Sequence, residues 1–288
     1  MKRNKALPVM LSFTSALCMM FGTTACDKGE LSYRETHTED GEKGYMVRGI
    51  GSADGANLVI PSMFNDCPVI GIAENAFIGN PEIQSVVIPE GVTVIEDWAV
   101  AHCDNLTSIV IPDSVTSIGD SVFSGCKSLM SILIPESVTS IRDWTFSNCS
   151  SLMSILIPDS VTSIGKNAFA GCSSLTSIII PDSVTGIGEY AFYYCSSLES
   201  AVIPDSVTEI GSEAFAFCGS LTEITYKGTK AEWIKITKGS NWARSSGKYS
   251  VHCADGTLTI GESQDKDSGV YTAYRSDGDV EGSREELR

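Results

Sequence analysis

Six cysteines recur every 23 residues, Cys103, Cys126, Cys149, Cys172, Cys195 and Cys218, and a thiol column of this kind invites disulfide or metal chemistry. If the units that carry them stack like strands, successive thiols fall about 5 Å apart. Two observations argue against both chemistries. The preceding unit carries Asn80 at the equivalent place, three residues after Phe77, as each later cysteine is three after its Phe or Val. Asparagine can neither join a disulfide nor supply a thiolate. No C-x-x-C pair is present to serve zinc. Asn and Cys share small size and a polar atom that reaches loop backbone, and free Cys is often buried. The column is expected to be structural.

A second column is acidic: Glu90, Asp113, Glu136, Asp159, Asp182 and Asp205 each follow a proline. A row of carboxylates is a calcium candidate. Proline followed by an acid and serine is also ordinary turn chemistry, with side-chain oxygens bonding nearby backbone donors, and that reading is preferred. Aromatic residues Trp98, Trp144 and Tyr190, with Tyr193 and Tyr194 nearby, have the faces needed to stack on sugars or anchor a protein; packing against adjacent units is the simpler expectation. For catalysis the inventory is thin. His37, His102 and His252 share no local motif, and there is no G-x-S-x-G elbow, Walker loop, H-E-x-x-H or dinucleotide fingerprint. An enzyme is not expected, nor any cofactor or metal; an active site assembled from distant residues is the remote alternative.

The elements that position these columns are internal repeats. Prolines at 89, 112, 135, 158, 181 and 204 are spaced by 23 residues, each within the frame L-x-S-I-x-I-P-[DE]-S-V-T-x-I-G-x-x-A-F-x-x-C, with small departures. Pro61 opens a unit five residues longer, whose extra residues, within 62–67, are expected to loop out. In each unit the triplet before proline, such as Ile178-Ile179-Ile180, is aliphatic and is closed by a residue that cannot donate to a ladder. Eight such triplets, from Leu58-Val59-Ile60 to Ile224-Thr225-Tyr226, are expected to align as a parallel sheet.

Period-two alternation assigns faces. The outer isoleucines of each triplet, the Leu129 to Leu198 column, the Val115 to Val207 column, the Ile118 to Ile210 column and Phe123, Phe146, Phe169, Phe192 and Phe215 should point inward, completing a core only by stacking. The middle residues Val59, Val87, Val110, Leu133, Leu156, Ile179 and Val202 should point outward, beside Ser85, Ser108, Ser131, Ser154, Ser177 and Ser200. Seven apolar side chains at ~5 Å intervals make a ridge roughly 30 Å long, of a kind soluble proteins seldom leave bare. β-propensity alone, or cover by a neighbouring segment, is the competing explanation. The candidate protein-binding residues are therefore Val87, Val110, Leu133, Leu156, Ile179 and Val202 with Ser108, Ser131, Ser154 and Ser177.

This frame resembles the bacterial BspA-like leucine-rich repeat family over roughly residues 45–260. The resemblance implies an α/β solenoid: a right-handed leucine-rich-repeat coil with a parallel β-sheet on the concave face, mostly β and loop with short helical turns. It also implies an exported or surface protein acting as an adhesin.

Around the repeats, residues 1–25 read as a signal peptide, with a basic start (Lys2, Arg3, Lys5) and an apolar stretch interrupted by Pro8. It is too short to be a membrane span. Thr23-Thr24-Ala25-Cys26 resembles a lipoprotein cleavage site, making Cys26 the lipidation candidate; secretory cleavage after Ala25 is the alternative. The expected order is then a linker (26–44), the solenoid (45–226), a C-terminal cap (227–262) in which Trp233, Ile234, Ile236 and Trp242 cover the last core face, and a flexible polar tail (263–288). The chain holds 20 basic and 36 acidic residues, a net charge of −16, which argues against nucleic acid and anionic lipid surfaces as partners. The expectation is an exported, membrane-anchored lipoprotein at the cell surface or facing the periplasm, or else secreted, that binds extracellular or cell-surface proteins. A self-associating structural protein of the envelope is the alternative.

Overall fold

The computed structural model describes residues 31–38, 40–51, 55–260 and 274–276. The expected signal peptide and Cys26 lie outside the described residues, as does most of the expected tail. The chain winds into a β-solenoid of about nine turns, nearly all strand and loop.

Two sides of each turn carry parallel ladders. The first uses the triplets before proline: Asn57–Val59, Ser85–Val87 and Ser108–Val110 pair in sequence, as do Ser177–Ile179, Ser200–Ile203, Glu223–Tyr226 and Ser250–Cys253. Between these blocks the sheet is not continuous, contrary to expectation. The central turns contribute a single bridge, Leu133 to Leu156. These are the two turns with Leu rather than Val or Ile at the middle position. A γ-branched side chain favours the extended backbone less than a β-branched one.

The second ladder shows in the sequence only as a buried column. The V-T-x-I-G segment supplies a two-residue strand per turn: Val94–Ile95 and Ser117–Ile118 in one block, then Ser140–Ile141, Ser163–Ile164, Gly186–Ile187 and Glu209–Ile210. Glu96 and Arg142 hold the glycine position in two turns, but where glycines adjoin the turns approach closely. A Cβ at Gly188 would stand 2.5 Å from the Gly165 carbonyl carbon and oxygen of the preceding turn.

The third side is neither helix nor strand. Alternate N–H groups donate to carbonyls of the next turn, as in Trp144 to Lys166 (2.8 Å), Phe146 to Ala168 (2.8 Å) and Asn148 to Ala170 (2.6 Å), while those between bond three residues back. This requires two left-handed residues per turn, at positions such as 144 and 148 or 190 and 194.

The core runs between the three sides. The leucine, valine and isoleucine columns are buried throughout, Ile155 being only partly so. The phenylalanines form a parallel stack from Phe123 to Phe215, with centroids 5.0 to 5.4 Å apart and ring planes within 19°. That spacing is the rise of one strand in a ladder, so the backbone pitch sets the ring stacking.

Both ends depart from the regular coil. Ser32–His37, within the expected linker, pairs antiparallel with Lys43–Gly49, which joins the second ladder through Cys67–Ile72. The five-residue insertion is a tight hairpin rather than an open loop: Met63–Phe64 folds back on Cys67–Ile72 through left-handed Asn65 and Asp66. Phe64 stacks on Tyr33 at 3.8 Å, which ties the hairpin to the first strand. At the other end Ser250–Cys253 continues the first ladder and Thr237–Lys238 the second. The helix Lys230–Lys235 is capped reciprocally by Thr229 and Glu232. Trp233, Ile236 and Trp242 are buried as expected, but Ile234 is exposed: one residue after Trp233 turns about 100° away around the helix. Within the expected flexible tail, Tyr274–Ser276 pairs antiparallel with Gly256–Ile260.

Candidate functional site

The first ladder presents the outward row. Val59, Val110, Leu133, Leu156 and Ile179 are exposed, with Leu133 57%, Leu156 53% and Ile179 62% accessible; Val87 and Val202 are half-buried. In-register pairing sets Val87 beside Val110 and Ile179 beside Val202, ending at Thr225 and His252. Ser108, Ser131, Ser154 and Ser177 are exposed alongside, while Ser85 and Ser200 are half-buried. Ser85 donates to Asn57 Oδ1 at 2.7 Å.

Two residues that sequence reasoning missed enlarge the centre of this surface. Met130 and Met153 are 48% and 52% exposed, and their turns are joined by the Met153 N–H donating to the Met130 carbonyl at 3.1 Å. Together with Leu133 and Leu156 they form an apolar quartet on the two turns where the ladder thins to a bridge. The available signal was a column, Gln84, Thr107, Met130, Met153, Thr176, Glu199, Thr222, in which only the methionines are apolar.

The cysteine column is buried and its thiols are free. Each Sγ donates to the carbonyl 26 residues earlier: Cys149 to Phe123 at 3.1 Å, Cys172 to Phe146 at 3.1 Å, and likewise along the stack. Burial raises every thiol, Cys103 to about 11 and Cys149 and Cys218 to about 12, with Cys126, Cys172 and Cys195 well above the usual value. Nucleophiles and metal ligands are thiolates, so this column holds its protons and serves packing. Asn80 instead accepts from the Glu82 N–H at 2.9 Å.

The acidic column is exposed, and the turn bonding differs from expectation. The serine after each acid from Asp113 to Asp205 reaches across to the preceding turn and donates to a valine carbonyl: Ser114 to Val92 at 2.8 Å, Ser160 to Val138 at 2.7 Å, Ser206 to Val184 at 2.7 Å. The turn serine is thus an inter-turn clamp, leaving the carboxylates facing solvent beside the ridge; Asp182 pairs with Lys227. Among the described residues no group of three or more His, Cys, Asp or Glu is arranged to hold a metal ion.

Trp98, Trp144 and Tyr190 sit on the third side, each left-handed, with φ of 59°, 60° and 58°. They alternate turn by turn with Ser121 and Asn167, which are buried. Trp98 and Trp144 remain partly exposed. A bulky residue in this backbone region costs about 1–2 kcal/mol relative to glycine.

Parallel ladders on two sides, a hydrogen-bonded third side and a core supplied in equal portions by each turn define a β-solenoid of the leucine-rich-repeat class. The family model for the BspA type leucine rich repeat region matches six copies, over residues 70–195 and 118–235, together more than half of the 288 residues. The chain belongs to this family. Among solved structures it is similar to the leucine rich repeat protein of T. pallidum, with 26% identity, a TM-score of 0.49 and coverage of 72% of this chain and 83% of that one. It is also similar to a leucine rich cell surface protein of Faecalibacterium prausnitzii (19%, TM-score 0.35, 74% and 98% covered) and to the pneumococcal vaccine antigen PcpA (15%, TM-score 0.33, 70% and 87% covered). Comparison with curated proteins returns no match.

Proposed function

We propose that this leucine-rich repeat protein is an exported module, lipid-anchored through Cys26, that binds an extracellular or cell-surface protein in the manner of an adhesin. The observation that carries the reading is the outward apolar row of the first ladder, widest at Met130, Leu133, Met153 and Leu156. Such a row has no role in the core behind it and gains stabilisation only when a partner covers it. Exposed methionines adapt to the shape of what they meet. The solvent-facing acidic column along one edge favours a partner with basic residues flanking an apolar segment.

The test compares the full chain with the variant Leu133→Ser, Leu156→Ser, Ile179→Ser in capture from host matrix and cell-surface extracts. Loss of a specific captured protein with an unchanged circular dichroism spectrum supports the reading; equal capture by both removes the ridge from it. Light scattering on the wild type separates a foreign partner from self-association, since a concentration-dependent dimer abolished by the same variant assigns the ridge to assembly. Radiolabelled palmitate incorporated by the wild type and not by Cys26→Ser tests the anchor.

A further inference from the structure

The turn that follows Pro181 breaks the repeat in two adjoining places. In the second ladder the column Val94, Ser117, Ser140, Ser163, Gly186, Glu209 loses its side chain at Gly186, where an added Cβ would meet nothing within 4 Å. The gap opens a depression of about 440 Å³ lined by Ser163, Glu189, Glu209 and Ser212 with glycine backbone as its floor. Around the corner, the third side carries Tyr193 where other turns have Ile78, Ala101, Ser124, Ser147, Ala170 and Ala216, so that it places the column's one aromatic ring there. It also carries Tyr194 and Phe217, both left-handed, where Asn148 and Gly171 stand in earlier turns.

These features are continuous. Glu189, in the wall of the depression, accepts from Lys166 Nζ at 2.7 Å, and that ammonium lies 5.8 Å from the Tyr190 ring centroid. Tyr190 contacts Tyr193 edge to face at 5.3 Å, and Tyr193 meets both Tyr194 and Phe217, themselves stacked at 4.8 Å. Tyr194 is half exposed.

A hollow walled by carboxylates and hydroxyls, beside half-buried rings that end at the exposed Tyr194, offers hydrogen-bond acceptors together with a flat apolar face. Two ligand classes fit such surroundings: cations and sugars. Two of these rings already carry the protein's own cations, Lys166 over Tyr190 and Arg244 over Phe217, the latter at 5.1 Å, and Lys166 also neutralises the Glu189 carboxylate in the wall, which favours a neutral ligand. We propose that the hollow at Gly186 and the Tyr190, Tyr193, Tyr194, Phe217 cluster form one binding site for a neutral oligosaccharide. Its hydroxyls bond Glu209 and the serines, and a ring face stacks on Tyr194. This site is separate from the first-ladder ridge.

The test is calorimetric titration of the full chain with neutral oligosaccharides of glucose, mannose or N-acetylglucosamine units, with tetramethylammonium chloride and a sialylated trisaccharide as charged probes. Saturable binding of a neutral series is expected. It should weaken about tenfold in Tyr194→Asn and fall in Gly186→Ser, substitutions that restore residues found at equivalent places in other turns. Melting temperatures should be unchanged or raised, because Asn tolerates the left-handed backbone. The ridge variant Leu133→Ser, Leu156→Ser, Ile179→Ser should bind sugar as the wild type does. The proposal is overturned if no neutral series saturates, if only a charged probe binds, if both site variants bind like the wild type, or if the ridge variant loses sugar binding.

Discussion

Alkaline pH should unfold this protein through its cysteines, beginning about a unit below the ordinary titration of tyrosine and lysine. Six thiols stand in one column; burial lifts Cys103 to about 11 and Cys149 and Cys218 to about 12, and holds Cys126, Cys172 and Cys195 well above the ordinary value of 9.0. A group whose proton is held more tightly when folded contributes stability that is whole below the unfolded value and lost as pH rises towards the folded one. The window therefore opens near pH 9. By pH 10 an exposed thiol has gained about 1.4 kcal/mol from ionisation that a buried one has not. Six together cost about 8 kcal/mol, as much as the whole stability of many domains. The assay is urea denaturation followed by circular dichroism at half-unit steps from pH 7.5 to 10.5. A level midpoint to about pH 8.5, then a steep fall, is expected. Cys149→Ala with Cys172→Ala removes two of the six, so its loss between pH 8.5 and 10 should be smaller by about 3 kcal/mol, whatever its stability at neutral pH. A midpoint level to pH 10, or equal alkaline losses in both chains, would refute the reasoning.

Other consequences of the stacked geometry are open to direct measurement. Phe169→Ala, in the middle of the ring stack, should cost about 3–5 kcal/mol by urea denaturation, whereas Ile234→Ala, on the exposed side of the cap helix, should change the midpoint little. Gly188→Ala forces a methyl against the Gly165 carbonyl and should cost about 1–3 kcal/mol; a neutral outcome would mean the turns separate more easily than the ladder geometry allows. Ser160→Ala removes one inter-turn clamp and is expected to cost about 1 kcal/mol.

Translational symmetry made much of the fold legible. A 23-residue period converts one good assignment into many, which is why the inward isoleucines, the phenylalanine stack and the outward row could be placed from a single unit, residues 175–195. What symmetry hides is the departure of single turns from the average. The frame says I-x-I at every strand, so the thinning at Leu133 and Leu156 was invisible until pairing was seen, and with it the importance of Met130 and Met153. The left-handed positions were equally obscured. Asn75, Ser121 and Asn167 hint at them, but Trp98, Trp144 and Tyr190 share the column, and large aromatic rings argue for the opposite backbone region. The second ladder escaped because V-T-x-I-G gives only two paired residues per turn, too few for alternation to register. The hairpin at Asn65 and Asp66 looks like a loop in the sequence because one of its strands is only two residues long.

The central turns join the fold to the proposed binding role. Replacing Val or Ile by Leu at positions 133 and 156 weakens strand pairing locally, and the structure answers with one bridge where neighbouring turns have three paired residues. The weakness is tolerable because the core face is largely kept: Ile155 is partly exposed, but Leu129, Ile134, Leu152 and Ile157 remain buried and the rings of Phe123, Phe146 and Phe169 stay stacked. Leucine and methionine exchange backbone preference for longer, more flexible apolar reach towards solvent. A solenoid optimised only to stand alone would use valine and threonine there, as its own turns at Val110 and Thr107 do. The departure falls on the outward side alone, on two adjacent turns and in two columns at once. That is the pattern expected when the constraint comes from something outside the coil.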